Sequence, residues 1–172
     1  NRDAFELYAF DYSVEDGTTT RERIKNAFDH FFDIRMMSDA QVAARVRELE
    51  IDVLIDMHGL SSGCRPEIFA TRPAVLQLTW LGFIGLTCFP WIDYVIADES
   101  VLPKVKRQEF PEKVIDLANS FLPMTSSGIN QDLLENPLSK AKKEKPVTKI
   151  GCFNNIYKVK PAFLDLCIET LK

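Results

Sequence analysis

The sequence predicts an α/β fold built around a parallel sheet, on three observations. Strand-like and helix-like segments alternate from Phe5 onward, which is the rhythm of parallel strands joined by right-handed crossovers. The run Ile51-Asp52-Val53-Leu54-Ile55-Asp56 is apolar enough for a central strand buried on both faces. It leads straight into Met57-His58-Gly59-Leu60-Ser61-Ser62-Gly63-Cys64-Arg65-Pro66, a loop rich in small residues. Ligands of open α/β sheets collect outside the carboxyl ends of such strands, so His58, Ser61, Ser62 and Arg65 stand where a ligand would.

The first strand is residues 5–10, which alternate and carry the aromatics Phe5, Tyr8 and Phe10. Asp16-Gly17 closes it with a turn. Thr19 with Glu22 three residues on has the spacing of a capping box, and Ile24, Ala27, Phe28 and Phe31 fall on one helical face behind it. This places His30 on a helix among phenylalanines, as a structural residue. A short strand over residues 32–35 follows. Ser38 and Gln41 repeat the capping pattern, and Val42, Val46 and Leu49 give the second helix its apolar stripe. Pro66 suits the first turn of a short helix, which ends by Arg72 because Pro73 favours extended backbone before it. Residues 75–80, 94–97 and 114–117 are three further strands. Residues 120–146 form a long surface connection, 149–153 another strand, and Pro161 opens a helix with Phe163, Leu164, Cys167, Ile168 and Leu171 on its inner side.

Composition narrows the function classes. A chain of 172 residues can bury one sizeable core, and a formal charge of −4 argues against a general nucleic-acid surface. Basic residues do gather over 140–149, but Glu144 and Pro146 interrupt them, as in a solvated linker. No apolar run approaches the roughly 20 residues of a membrane span. Cys64, Cys88, Cys152 and Cys167 have neither CxxC spacing nor paired histidines, so the reading is reduced thiols in the cytoplasm with no zinc site. Asp52, Asp56, Asp93 and Asp98 lack the spacing of a metal-binding pair. The opening Asn1-Arg2-Asp3 is neither a signal peptide nor an initiator methionine, so a piece of something longer is expected.

Several strings then line up in one order. They are Tyr8-Ala9-Phe10 with Asp16-Gly17, the His58 loop, Arg72-Pro73-Ala74-Val75-Leu76-Gln77-Leu78-Thr79-Trp80-Leu81-Gly82-Phe83-Ile84-Gly85, Trp91-Ile92-Asp93-Tyr94-Val95-Ile96-Ala97-Asp98, and Cys152-Phe153-Asn154-Asn155-Ile156-Tyr157-Lys158. Together they resemble the catalytic region of the protein O-GlcNAc transferases and SPINDLY-like glycosyltransferases. The resemblance implies two Rossmann-like lobes in the GT-B arrangement, with the donor held between them. Residues 1–118 would be part of the N-terminal lobe, 119–147 a linker, and 148–172 the first strand-helix unit of the C-terminal donor-binding lobe. It implies inverting transfer of N-acetylglucosamine from UDP-GlcNAc to Ser or Thr of a protein or peptide acceptor, with no metal or other cofactor, in the cytoplasm and, in a eukaryote, the nucleus. The upstream tetratricopeptide repeats and most of the second lobe lie outside this sequence, so the isolated chain is expected to be inactive.

Site residues follow from the same match. Departure of a nucleotide diphosphate leaves negative charge, which a cation or aimed donors must stabilise. Lys158, between the 149–153 strand and the Pro161 helix, stands at the family position that contacts the diphosphate; Asn155 and Tyr157 belong to the same pocket. Gly82 and Gly85 bracket the loop that in the family borders the sugar, where a missing side chain lets backbone approach a ligand. His58 can move protons near neutral pH or serve as a hydrogen-bonding group. Arg65 could hold an acceptor backbone or a phosphate, or pair with Glu67 or Asp56 as scaffold. Rival readings are a noncatalytic protein-interaction module of the same fold and a family member using GDP-fucose. An unrelated epimerase or hydrolase is a third, set aside on the reading that the chain has neither a G-x-S-x-G elbow nor a G-x-G-x-x-G fingerprint.

Overall fold

The computed structural model describes residues 2–83, 85–123, 151 and 159–170. The chain divides into two compact units, Asn1–Met124 and Thr125–Lys172. In the first, β1 (Tyr8–Asp11), α1 (Thr19–Lys25), β2 (His30–Asp33), α2 (Asp39–Glu48), β3 (Val53–Asp56), α3 (Glu67–Ala70), β4 (Leu76–Thr79) and β5 (Tyr94–Ala97) follow one another. A 3-10 helix, Lys104–Glu109, which the sequence did not suggest, leads to β6 (Lys113–Asp116). Strands β1 and β2 pair in parallel, and β3-β4-β5-β6 form a parallel sheet of four in sequence order. In the second unit the described element is α4 (Pro161–Thr170), whose Phe163, Leu164 and Ile168 are exposed rather than on a buried inner side. Of the expected linker and second-lobe strand, residues 124–150 and 152–153 lie outside the described residues.

Helix α1 corrects the sequence reading twice. Its cap is Thr18, whose hydroxyl accepts from the Arg21 amide at 3.2 Å, so the expected Thr19–Glu22 box is displaced by one residue and Glu22 instead pairs with Lys25. The helix also stops at Lys25, and the amides of Asp29 and His30 turn back to the Leu7 carbonyl, delivering His30 into β2 opposite Tyr8. His30 stacks on Tyr8 with ring centroids 4.5 Å apart and meets Glu6 through Nε2 at 2.7 Å. It is structural, but on a strand. Thr18→Ala should therefore cost about 1 kcal/mol and Thr19→Ala much less. Urea midpoints in the reverse order would restore the cap to Thr19.

Helix α2 matches its sequence signature. Ser38 caps it in a full box with Gln41, and Val42, Ala43 and Val46 are buried. Their core includes Ile34, Leu54, Ile68, Phe69, Ala74 and Ile92. A second cluster joins Val95, Ala97 and Leu102, with Phe110 and Val114 against it.

These clusters explain why β3 is not the doubly buried central strand its composition suggests. Right-handed crossovers between neighbouring strands taken in sequence order put every connection on one face. Leu54, Val95 and Ala97 lie beneath those connections. The opposite face keeps Val53 at 45% exposure, Leu76 at 41% and Ile115 at 37%, and β3 is an edge strand of its sheet. No helix among the described residues is long and apolar enough to cross a membrane.

Candidate functional site

The carboxyl ends of β1, β3, β4 and β5 carry Tyr12, the His58 loop, the Gly82 loop and Asp98. The second and third of these interlock. A Cβ on Gly82 would lie 2.2 Å from the Met57 carbonyl oxygen and 3.0 Å from His58 Cα, so backbone packs directly on backbone. In return Gly59, at φ +56°, leaves room for Phe83, whose Cβ would be 2.5 Å from a Cβ at that position. Gly82 therefore makes its close approach to its own chain, where the sequence reading had expected a ligand. Leu81 and Cys88 sit at φ 72° and 54°, a left-handed conformation that costs energy in residues bearing a Cβ, so this loop is held in shape by its surroundings.

One such tie joins the buried Thr87 hydroxyl to the Glu112 carboxylate. Another is Asp98, which accepts from the amides of Ser100 at 2.8 Å, Val101 at 2.9 Å and Phe121 at 2.5 Å. The Val101 and Phe121 amides, then Ser100, hold its carboxyl below the usual range. Trp80 Nε1 donates to the Phe121 carbonyl at 3.2 Å, so the end of β4 and the segment after β6 are fastened together. Phe83, Gly85, Trp80, Val95 and Phe121 line an apolar pocket there.

His58 is half-buried. Its amide donates to Asp56 Oδ1 at 2.9 Å, its Nδ1 is 2.7 Å from Ser61 Oγ, and its ring lies 5.3 Å from that of Tyr12. Burial first, and then the Asp56 carboxylate, push the Tyr12 hydroxyl above its ordinary pKa. Sequence reasoning missed Tyr12, although the rule that ligands gather past strand ends applies to β1 as much as to β3. The reading that the chain has no G-x-S-x-G of a hydrolase nucleophile elbow is also wrong in its letters, since Gly59-Leu60-Ser61-Ser62-Gly63 spell one. The geometry is not that of an elbow. Ser61 comes five residues after β3 ends, is not among the left-handed residues, and precedes α3 by six.

Arg65 makes the contacts of a scaffold residue, with a partner that differs from both expected ones. Its guanidinium binds Asp39 at 2.6 Å and donates to the carbonyls of Ile34 at 3.1 Å and Met37 at 2.6 Å, while lying 5.6 Å from the Tyr12 ring centroid. Its Nε, Nη1 and Nη2 each donate to the β2–α2 connection. Arg65→Ala should cost about 2 kcal/mol, the scale for losing charge-assisted hydrogen bonds, in a urea titration. An unchanged midpoint would return Arg65 to the ligand. Asp93 is likewise engaged, by Arg72 at 2.9 Å and the Gln77 amide, which outweigh burial and lower its pKa. Among the described residues no cluster of His, Cys, Asp or Glu could hold a metal ion. The expected donor contacts Asn155, Tyr157 and Lys158 lie outside the described residues.

The family model described as Glycosyl transferase family 41 matches residues 1–150. A probable UDP-N-acetylglucosamine–peptide N-acetylglucosaminyltransferase, SEC, of Arabidopsis thaliana is 34% identical over 177 residues, covering 100% of this chain and 18% of the relative. A UDP-N-acetylglucosamine–peptide N-acetylglucosaminyltransferase of Caenorhabditis elegans is 33% identical over 122 residues, or 70% of this chain and 11% of the relative. Among solved structures, a lysine-to-methionine mutant of Thermobaculum terrenum O-GlcNAc transferase superposes with a TM-score of 0.66 at 29% identity, covering 72% of this chain and 24% of that one. The chain thus spans less than a fifth of the length of these two curated relatives.

Proposed function

The chain belongs to glycosyl transferase family 41, and from that premise we propose that it forms part of the acceptor-side lobe of a GT-B enzyme that transfers N-acetylglucosamine from UDP-GlcNAc to Ser or Thr of proteins. The observation that carries this reading is the interlock of the β3 and β4 loops at the sheet's carboxyl edge, inside the family-matched span. Two glycines fuse the loops into one surface against which a sugar can be held, with His58 at its border. Asn155, Tyr157 and Lys158 would supply the diphosphate contacts from the second lobe, and no metal would be needed. Free Cys64, Cys88 and Cys167 accord with a reducing cytoplasm.

Replacing the matching 24% of the Thermobaculum terrenum enzyme with this chain tests the reading. The hybrid should release UDP from UDP-GlcNAc in the presence of a serine-containing peptide. A folded hybrid that binds peptide but transfers nothing favours the noncatalytic module, and one that prefers GDP-fucose favours the other donor. The isolated chain, which spans 18% of the Arabidopsis thaliana relative, should bind UDP-GlcNAc more weakly than micromolar. Calorimetry giving about −8 kcal/mol or better would mean that these residues already make a complete site.

A further inference from the structure

His58 is held by constraints that commit one of its ring nitrogens and leave the other for a ligand. The Asp56 carboxylate takes its amide, Tyr12 flanks its ring, and Ser61 Oγ lies 2.7 Å from Nδ1. A neutral imidazole has one donor and one acceptor nitrogen, and the bond made by one fixes the role of the other. Two arrangements fit 2.7 Å: Oγ–H donates to Nδ1, or Nδ1–H donates to Oγ. A serine hydroxyl always brings a hydrogen that needs an acceptor, and Nδ1 is the side-chain acceptor that the described residues place against Oγ. The first arrangement satisfies both groups. The second leaves the hydroxyl hydrogen to solvent.

We infer that Ser61 is a positioning residue whose hydroxyl, by donating to Nδ1, keeps neutral His58 in the Nε2–H form and makes it a hydrogen-bond donor to an oxygen of the nucleotide sugar. The identity of that ligand rests on the reading under Proposed function; the tautomer does not. A nucleotide sugar presents diphosphate and hydroxyl oxygens, all acceptors, and His58 stands beside the loop that Gly82 presses against it. A base acting on a substrate hydroxyl would need a bare Nε2, which this arrangement denies. Protonation of the ring keeps a hydrogen on Nε2, so the donor role holds in the neutral and the charged ring alike.

The test is ¹⁵N histidine NMR on the 172-residue chain, with His30→Gln removing the second of its two histidines. The neutral ring should have a protonated Nε2 and a bare Nδ1. Ser61→Ala should release Nδ1 and mix the tautomers, and Ser61→Thr, which keeps the hydroxyl, should restore a single form. Millimolar UDP-GlcNAc should then shift the Nε2 signal; UDP alone reproducing the shift assigns the partner to the diphosphate, and free N-acetylglucosamine assigns it to the sugar. An Nδ1–H tautomer in the parent chain, no change in Ser61→Ala, or an Nε2 signal that stays still while the Gly82 and Gly85 amides move would overturn the inference. If none of the three ligands moves any signal, the donor-site reading fails and the tautomer still decides the role of Ser61.

Discussion

Gly82→Ala should lower stability by about 3 kcal/mol, the upper end of the usual cost of overpacking, read as a fall in urea midpoint at unchanged slope. The reason is what the new methyl would meet. Its three nearest atoms are the Met57 carbonyl oxygen, His58 Cα and the His58 carbonyl oxygen, all main chain, and none can turn aside. The β3 and β4 loops must separate, taking Phe83 out of the space over Gly59. Gly85→Ala provides the control. There the methyl would meet Cε1 and Cζ of the Phe83 ring at 2.7 and 2.9 Å, and the far end of a side chain can swing away. Its cost should stay below about 1 kcal/mol. Equal midpoints for the two variants would show that the interlock is not what fixes the loops.

The contrast between these glycines also marks how far the sequence could be read. Both stand out in the letters, but the atom pressed against Gly82 belongs to a residue some two dozen positions earlier, which no local pattern reveals. Elements set by local rules were legible. Ser38 with Gln41 capped α2 as expected, and the apolar run Tyr94–Ala97 is β5 to the residue. Elements set by distant partners were not. The apolar period of α1 continues through Phe31, and only the Leu7 carbonyl, by capturing the amides of Asp29 and His30, turns that stretch into a strand. Arg65 had two acidic neighbours nearby in sequence and chose Asp39, because α2 brings that carboxylate and the Ile34 and Met37 carbonyls to one spot. Strand β3 read as central because composition reports apolarity, whereas which face is covered follows from strand order. Family membership was legible for the opposite reason: matching strings such as residues 72–85 and 91–98 in order needs only their letters, not the contacts they make.

In the Thermobaculum terrenum hybrid, Lys158→Ala should lower turnover by roughly 10²- to 10³-fold, the scale for losing one preorganised electrostatic contact. The leaving group is a nucleoside diphosphate, and negative charge grows on its phosphate oxygens as the glycosidic bond breaks. An ammonium aimed at those oxygens is worth more in the transition state than in the bound donor, so the KM for UDP-GlcNAc should change much less than turnover. Lys158 stands three residues before α4, where Pro161 has no amide hydrogen and the Phe163 and Leu164 amides donate to the Lys160 carbonyl, which leaves the Ala162 amide and the helix dipole to favour an anion. That helix end would keep part of the donor affinity when the lysine is gone. Lys158→Arg should recover only part of the rate, since a planar fork on a longer stem does not put its charge where a compact ammonium does. A folded Lys158→Ala hybrid with near-normal turnover would make Lys158 an ordinary surface lysine. The phosphate contacts would then fall to Asn155 and the Ala162 amide, and Asn155→Ala would be expected to show the loss instead.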